Sequence, residues 1–549
     1  MVLSAPLSGC NSCSEHKYER IGVLAVPQNP FGPRHRYKSF EMRSAALVTL
    51  LLSAAALGHQ QPESRALIPG LDHPLLDTIF DKIFGKFTVK QLEKTLRALQ
   101  KAADDNGGNR AFGLPGYDAS VDHIWSQLQK FDKLKAFKIW KQEFTGLWNQ
   151  ITVHEFSVNG EEAIKPSGLT YSPSTPEGGL EAELVAIPGD AKPCSAEEIA
   201  ATGIDVTDKI LLIERGRCPD ATTFAGKVKA ASGAGAIAAI IYNSEDANIT
   251  GGTLSAPNPE YIPAGLIQRQ QALALRERIL AGETLVAHYA QTQLFENRTT
   301  VNVFAETKAG NPNNVVMVGA HLDGVQAGPG INDDGSGTAL ILELYRTLAP
   351  TAWLTPNKLR FAWWGAEENG LVGSKHYVQT LPAKDVNSLL TYLNFDMVSK
   401  GFYGVFDGDG SEFGLVAPKG SDAIEKLFQN HFERKGLKVT PAALNGGSDY
   451  VHFLQDIGKP VGGLFTGTGV NEDPCYHQLC DTIDNPNFEQ LYNNTLAAQE
   501  VFGILAVAGH KLIPKTEPVT GTVIPREAVQ WTKREEADGT AQHTCHDEL

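Results

Sequence analysis

Four strings decide the reading of this chain: VVMVGAHLDG at 315–324, GINDDGSG at 330–337, FAWWGAEENG at 361–370 and LLTYLNFDM at 389–397. Three are short apolar runs, and each ends in side chains that ligate metals. His321 and Asp323 follow the first, Glu367 and Glu368 the second, and Asp396 closes the third. Asp333 and Asp334 lie in the glycine-rich string, ahead of a helical pattern, and CYHQLC at 475–480 supplies His477 far downstream. Zinc takes imidazole nitrogen and carboxylate oxygen, and a catalytic zinc keeps one position open. Two zincs roughly 3.5–4 Å apart can share a bridging carboxylate and hold both the attacking water and the substrate oxygen. The strings contain that inventory, so they predict a two-metal hydrolase site. Glu367 and Glu368 divide the labour: one holds metal while the other stays free to move a proton. On a strand they would face opposite ways; at a strand-to-loop corner both can approach one point. Chemistry alone does not choose between Asp333 and Asp334.

Outward from these strings the chain alternates. Val315–Ala320, Lys358–Trp364, Leu389–Phe395 and Val461–Thr466 read as strands. Gly337–Leu348, Gly370–Leu381, Asp422–Lys435, Asp449–Gln455 and Phe488–Ala508 read as helices. That order predicts an α/β fold with a mostly parallel mixed sheet covered by helices. Ligands gather at the carboxyl ends of such strands, where His321, Glu367, Glu368 and Asp396 fall. Upstream, 87–101 has helical spacing, DDNGGN at 104–109 breaks it, Ser120–Phe131 is a second amphipathic helix, and 135–156 alternates as strands do. Trp363 and Trp364 read as core, and His431 and His452 as structural histidines.

At 549 residues the chain exceeds one ordinary domain. Its net charge of −15 argues against nucleic acid or anionic membrane as the main partner. Residues 1–41 show no periodicity. MRSAALVTLLLSAAALG at 42–58 has a charged start, a short apolar run and a small-x-small end, the pattern of a signal peptide. The run is about half the ~20 residues of a membrane span. Residues 513–549 read as a flexible tail, and its final HDEL reads as an endoplasmic-reticulum retrieval address. The expected location is therefore the secretory pathway, in the reticulum lumen or secreted or vacuolar, with an HDEL receptor as a partner. Cys10, Cys13 and Cys545 lie near the ends, which leaves Cys194, Cys218, Cys475 and Cys480. Sequence does not fix connectivity; two local pairs, Cys194 with Cys218 and Cys475 with Cys480, are the simplest arrangement in an oxidising lumen. Asn248, Asn297 and Asn493 open glycosylation sequons.

Near 173–179 the composition shifts to Ser, Pro and Gly, and a separate pattern begins. IERGRC at 213–218, KVKAASGAGAIAAIIYN at 227–243 and IPAGLI at 262–267 make residues 176–292 resemble a protease-associated (PA) domain. Such domains carry no chemistry and are similar to lids that restrict substrate access.

The remaining strings resemble the two-zinc aminopeptidase family that includes aminopeptidase Y and the secreted bacterial leucine aminopeptidases. The resemblance rests on AHLDG, GINDDGSG, WGAEENGLVGS, NFDM and CYHQLCDT, and spans most of 106–510. It implies a phosphorylase/hydrolase-like zinc-peptidase domain formed by 59–175 and 293–512, around the PA insert. It implies two zinc ions per chain, one on His321 and Asp396, the other on Glu368 and His477, bridged by Asp333. It also implies Glu367 as general base, Asp323 orienting His321, and Tyr476 donating to the developing oxyanion. The expected substrates are peptides with a free, apolar N-terminal residue such as leucine. A glutamate-releasing carboxypeptidase, a one-zinc glutaminyl-cyclase-like transferase and a transferrin-receptor-like binding protein share the scaffold and are the alternatives. GGSD at 446–449 departs from relatives that carry Arg at Gly447, which leaves substrate contacts there open.

Overall fold

In chain order, helices α1 (Val89–Asp104) and α2 (Pro115–Phe131) precede the strand β1 (Phe137–Val158). Next come β2 (Ser167–Thr170), β3 (Leu180–Ala186), α3 (Ala196–Ala201), β4 (Ile210–Glu214), α4 (Ala225–Gly233), β5 (Ala238–Tyr242), β6 (Gly251–Thr253), β7 (Ala264–Ile267) and α5 (Arg269–Leu280). The strand β8 (Leu285–Thr307) leads to β9 (Asn311–His321), α6 (Gly335–Leu348), β10 (Asn357–Trp364), α7 (Val372–Thr380), α8 (Ala383–Ser388) and β11 (Leu389–Phe395). The last elements are β12 (Tyr403–Phe406), α9 (Ser421–Arg434), β13 (Val439–Ala442), α10 (Tyr450–Gln455), β14 (Val461–Leu464) and α11 (Phe488–Leu512). The computed structural model describes residues 84–519 apart from 220–221, 245–250, 255–256, 416 and 470. The expected signal peptide and N-terminal extension, Asn248 and the HDEL terminus lie outside these residues. Among the described residues, no helix is long and apolar enough to cross a membrane.

A two-stranded ribbon joins the two halves. β1 pairs with β8 antiparallel from Phe137 opposite Thr307 to Val158 opposite Ala287. The other edge of β8 takes β10 near one end, with Arg360 opposite Glu306, and β3 near the other, with Leu184 opposite Leu285. One sheet therefore runs β13-β12-β14-β11-β9-β10-β8, with β14, β11, β9 and β10 parallel. The sheet continues from β8 into the insert as β3-β4-β5-β7, and β2, which precedes residue 176, pairs with both β7 and β6 at its far edge. The alternating segment 135–156 is thus one long strand, because both its ends have a sheet to join. α2 starts at Pro115, earlier than its periodicity suggests, because proline is pre-set for the first helical position.

Position in the sheet follows from composition. Every residue of β11 is buried, as a strand covered on both faces requires. α6 is buried nearly all round, which marks a helix enclosed by the fold. It lies against β9, with α1 and α11 on the same side. Trp363 and Trp364 are fully buried, and as neighbours on β10 they face opposite layers. Trp363 donates to Thr338 O of α6 at 3.4 Å, while Trp364 donates to the Tyr392 hydroxyl at 2.8 Å. Tyr392 in turn stacks on Phe453 of α10 with ring centroids 4.0 Å apart. Gly319 of β9 makes room for this group. A Cβ there would lie 2.3 Å from the Tyr392 hydroxyl and 2.5 Å from Trp364 Nε1. Gly319→Ala is expected to destabilise the chain by about 1–3 kcal/mol through overpacking, read as a lower denaturant midpoint; an unchanged midpoint would show that the layer has slack.

Candidate metal centre

The carboxyl ends of β9, β10 and β11 lie side by side, and the chain turns sharply after each. His321 is the last residue of β9. After β10, Ala366 takes φ +56° just before Glu367 and Glu368; after β11, Met397 takes φ +50° directly behind Asp396. His477 itself sits at φ +56°. Non-glycine residues in the left-handed region are held there by their surroundings and cluster at functional sites. The turn at Ala366 lets the two glutamates approach one place instead of facing opposite ways. The glycine-rich string serves close packing: a Cβ on Gly337 would lie 1.9 Å from Phe395 O. Its absence brings the start of α6, with Asp333, against the end of β11.

The side chains form two linked groups. His321 Nε2 lies 3.1 Å from Asp333 Oδ1, 3.4 Å from Asp396 Oδ1 and 4.0 Å from Glu367 Oε2. His477 Nε2 lies 3.1 Å from Asp333 Oδ2 and 3.0 Å from Glu368 Oε2. Asp333 thus presents one oxygen to each imidazole. Asp334 has a different task. Its oxygens accept from the backbone N–H of Gly337, Met397 and His321 at 2.8, 3.1 and 3.2 Å, so it caps α6 and ties three elements together.

Asp333 Oδ2, Glu367 Oε1, Glu368 Oε1, Asp396 Oδ1 and His477 Nε2 are all buried without a hydrogen-bond partner. Several of these atoms lie near one another yet are not aligned as donor and acceptor. Buried polar atoms are ordinarily satisfied, so lone pairs that face shared space mark a place for a cation. The donor set, two imidazoles with carboxylates, suits zinc. By contrast, the acidic group Asp407, Asp409 and Glu425 is occupied by its own loop. Asp407 accepts from Ser411, Glu412 and Phe413 N–H, and Glu425 from Gly408 and Asp409 N–H.

Electrostatics agree with a cation site. Burial would lower His321, yet Asp396, Glu367, Asp323 and Asp333 together lift its imidazole well above the usual histidine value. His477 rises to about 10 against its burial, because Glu368 and Asp333 face it. Asp333 is held below the ordinary carboxylate range: burial opposes this, but both imidazoles outweigh it. Burial, aided by nearby carboxylates, pushes Glu367 well up, Glu368 up and Asp449 up to about 8. The centre carries more negative charge than its two imidazoles balance, which metal cations would offset.

Around this centre the loops are held by hydrogen bonds. Asp323 Oδ1 accepts from Glu367 N at 3.1 Å and Oδ2 from Glu368 N at 3.3 Å; its nearest approach to His321 Nδ1 is 3.8 Å. Asp323 therefore fixes the glutamate turn first and the imidazole only loosely. Ser448 Oγ donates to Asp396 Oδ2 at 2.6 Å. Tyr476 stacks on His477 with centroids 3.8 Å apart. Its phenol is pushed well above its usual range by burial and by Asp333, Glu368, Glu367 and Asp396, so it remains a neutral donor. Cys475 and Cys480 are bonded and bracket both residues. Asp481, just beyond, accepts from the N–H of Asn332 and Asp333 at 2.8 and 3.0 Å. Asn332 Nδ2 donates to Asp473 Oδ2 at 2.7 Å, so the disulfide loop and the Asp333 loop are tied in two places.

β1 and the residue that follows β2, just ahead of the insert, reach this region too. The Tyr171 hydroxyl donates to Asn369 O at 3.3 Å, beside the glutamate pair, and Gln326 Nε2 donates to Asn149 O of β1 at 2.6 Å. Cys194 and Cys218 are bonded within the insert. Asn297 is exposed on β8, whereas Asn493 is half-buried in α11 with its amide donating to the Tyr403 hydroxyl at 3.2 Å. Outside the centre, His431 pairs with Glu500 at 2.7 Å and His452 with Asp456 at 3.0 Å, both as structural contacts. Sequence reading passed over Arg110, Asn332, Asp473 and Asp481. Asn332 lies within GINDDGSG and Asp481 within CYHQLCDT, whereas Arg110 and Asp473 lie in neither motif and carry no spacing signal.

Residues 302–501 match peptidase family M28, and residues 180–275 match the PA domain. The chain is 36% identical over 436 residues to leucine aminopeptidase 2 of Trichophyton tonsurans, covering 76% of this chain and 84% of that one. It is 37% identical to an aminopeptidase of Pseudomonas aeruginosa (strain UCBPP-PA14), covering 72% and 77%. Among solved structures, the aminopeptidase from Aneurinibacillus sp. strain AM-1 superposes with a TM-score of 0.62 at 26% identity, over 82% of this chain and 99% of its own. A zinc aminopeptidase from Bacillus subtilis gives 0.61 at 26% identity, over 79% and 99%. Likeness at that identity and over that length, joined to this fold, means that the chain belongs to peptidase family M28 and carries a PA domain as an insert.

Proposed function

We propose that this chain is a zinc-dependent aminopeptidase that releases apolar N-terminal residues such as leucine from peptides. The observation that carries the proposal is Asp333, whose two oxygens each lie 3.1 Å from a different imidazole. His321 and Asp396 would hold one zinc and His477 and Glu368 the other, with Asp333 between them. Zinc bound there supplies Lewis-acid polarisation of the peptide carbonyl and acidifies water. Glu367, whose Oε1 is free and whose carboxyl is pushed well above its usual range, takes the proton of the attacking water and returns it to the leaving amine nitrogen. Tyr476 donates to the carbonyl oxygen as charge develops there. The insert, entered just after Tyr171, whose hydroxyl donates to Asn369 O beside the glutamate pair, limits which peptides reach the centre. The two disulfides suit an oxidising, secretory compartment.

Purified protein is expected to hydrolyse leucine p-nitroanilide, to lose that activity on chelation and to regain it with zinc. Activity indifferent to chelation would refute the zinc assignment. Cleavage that requires a free carboxylate instead of a free amine would make the enzyme a carboxypeptidase.

A further inference from the structure

Arg110 lies between α1 and α2, outside the segment that matches peptidase family M28. Its side chain is wholly buried. The guanidinium makes three hydrogen bonds, all to backbone carbonyls of one loop: Nε to Pro329 O at 2.8 Å, Nη1 to Leu322 O and Nη2 to Gly330 O. That loop begins directly after His321 and ends directly before Asp333. The three carbonyls stand at its two ends, so one rigid, planar group spans the return of the chain.

Burying a guanidinium is costly unless its donors and charge are both answered. Here carbonyls answer the donors. The charge is answered at longer range by Asp323, Asp481, Asp334 and Asp333, which oppose the effect of burial on this group. The positive charge is fixed behind the acid-rich centre and donates to none of its carboxylates. It therefore offsets charge at the centre without occupying a ligand oxygen. A lysine could supply the charge but not a fork of donors in one plane.

We infer that Arg110 is a positioning residue that sets the spacing of His321 and Asp333 and thereby the affinity of the centre for zinc. The inference rests on the two-zinc reading above, since those residues serve one site and the bridge. Groups that orient metal ligands from behind typically change affinity by about 10–100-fold when removed.

The test uses the full chain with Arg110→Met and Arg110→Lys. Four quantities are read: zinc affinity by competition with a chromophoric chelator, the thermal midpoint, and kcat and KM on leucine p-nitroanilide across added zinc. The wild type is expected to hold two zincs. Arg110→Met should bind zinc at least about ten-fold more weakly, with kcat restored toward wild type by excess zinc and KM unchanged, and Arg110→Lys should fall between. Wild-type zinc affinity in Arg110→Met, whatever its thermal midpoint, would make Arg110 a purely structural residue and overturn the inference. If Arg110→Met does not fold, the same affinity measurement on Arg110→Lys decides. A wild type that holds fewer than two zincs overturns the two-zinc reading itself, an outcome visible before any variant is compared.

Discussion

Glu367→Gln is expected to lower kcat on leucine p-nitroanilide by roughly 100- to 10,000-fold, the usual contribution of a general base, with zinc content unchanged. The expectation follows from where the carboxylate stands. Glu367 is buried, its Oε1 lacks any partner, and Oε2 lies 4.0 Å from His321 Nε2, farther than the oxygens of Asp333 and Asp396. It is thus the carboxylate nearest to the first group that is least engaged by it. Its backbone N–H is fixed by Asp323 and its side chain is buried, so the carboxylate has little room to turn away. Glutamine keeps the length and shape of the side chain but cannot accept the proton of water. Zinc content and KM should therefore stay near wild type while turnover collapses. Loss of zinc together with activity would mean instead that Glu367 is a ligand. Unchanged turnover would remove it from the chemistry altogether.

The contrast between the two aspartates shows what could be read from sequence. The three apolar runs declared the central strands, because β9 and β11 are buried on both faces and so cannot alternate. The residues closing those runs fell at the sheet's carboxyl edge for the same reason. Asp333 and Asp334 could not be separated by residue type or spacing. They differ only in tertiary surroundings: one faces two imidazoles, the other three backbone N–H groups. Arg110 was illegible on different grounds. Its partners are backbone carbonyls more than two hundred residues away in sequence, and a carbonyl leaves no mark in a sequence. The length of β1 was also hidden, since it depends on a second sheet that β1 helps to join.

The same contrast yields an opposed pair of results. Asp333→Ala is expected to abolish measurable activity and to leave the chain unable to hold two zincs at once, while folding persists. Asp334→Ala is expected to act first on stability. The argument is one of partners. Each Asp333 oxygen lies 3.1 Å from one imidazole, and Oδ2 has no hydrogen bond at all. Removing the side chain frees no backbone group; each imidazole loses one facing carboxylate, but Asp396 and Glu367 still face His321 and Glu368 still faces His477, so the fold loses less than with Asp334. What disappears is the one carboxylate that faces both groups, and with it the shared oxygen pair that would keep two cations close. Asp334, in contrast, is the partner of three buried N–H groups, on His321, Gly337 and Met397. Leaving a buried donor unsatisfied costs about 1–3 kcal/mol, and here three are left at the junction of β9, α6 and β11. Zinc content by elemental analysis and the denaturant midpoint, measured on both variants, separate the two roles. If Asp333→Ala kept two zincs and Asp334→Ala lost one without any fall in midpoint, the bridging assignment would pass to Asp334. The hydrogen bonds that now occupy its oxygens would then have to open for metal to bind.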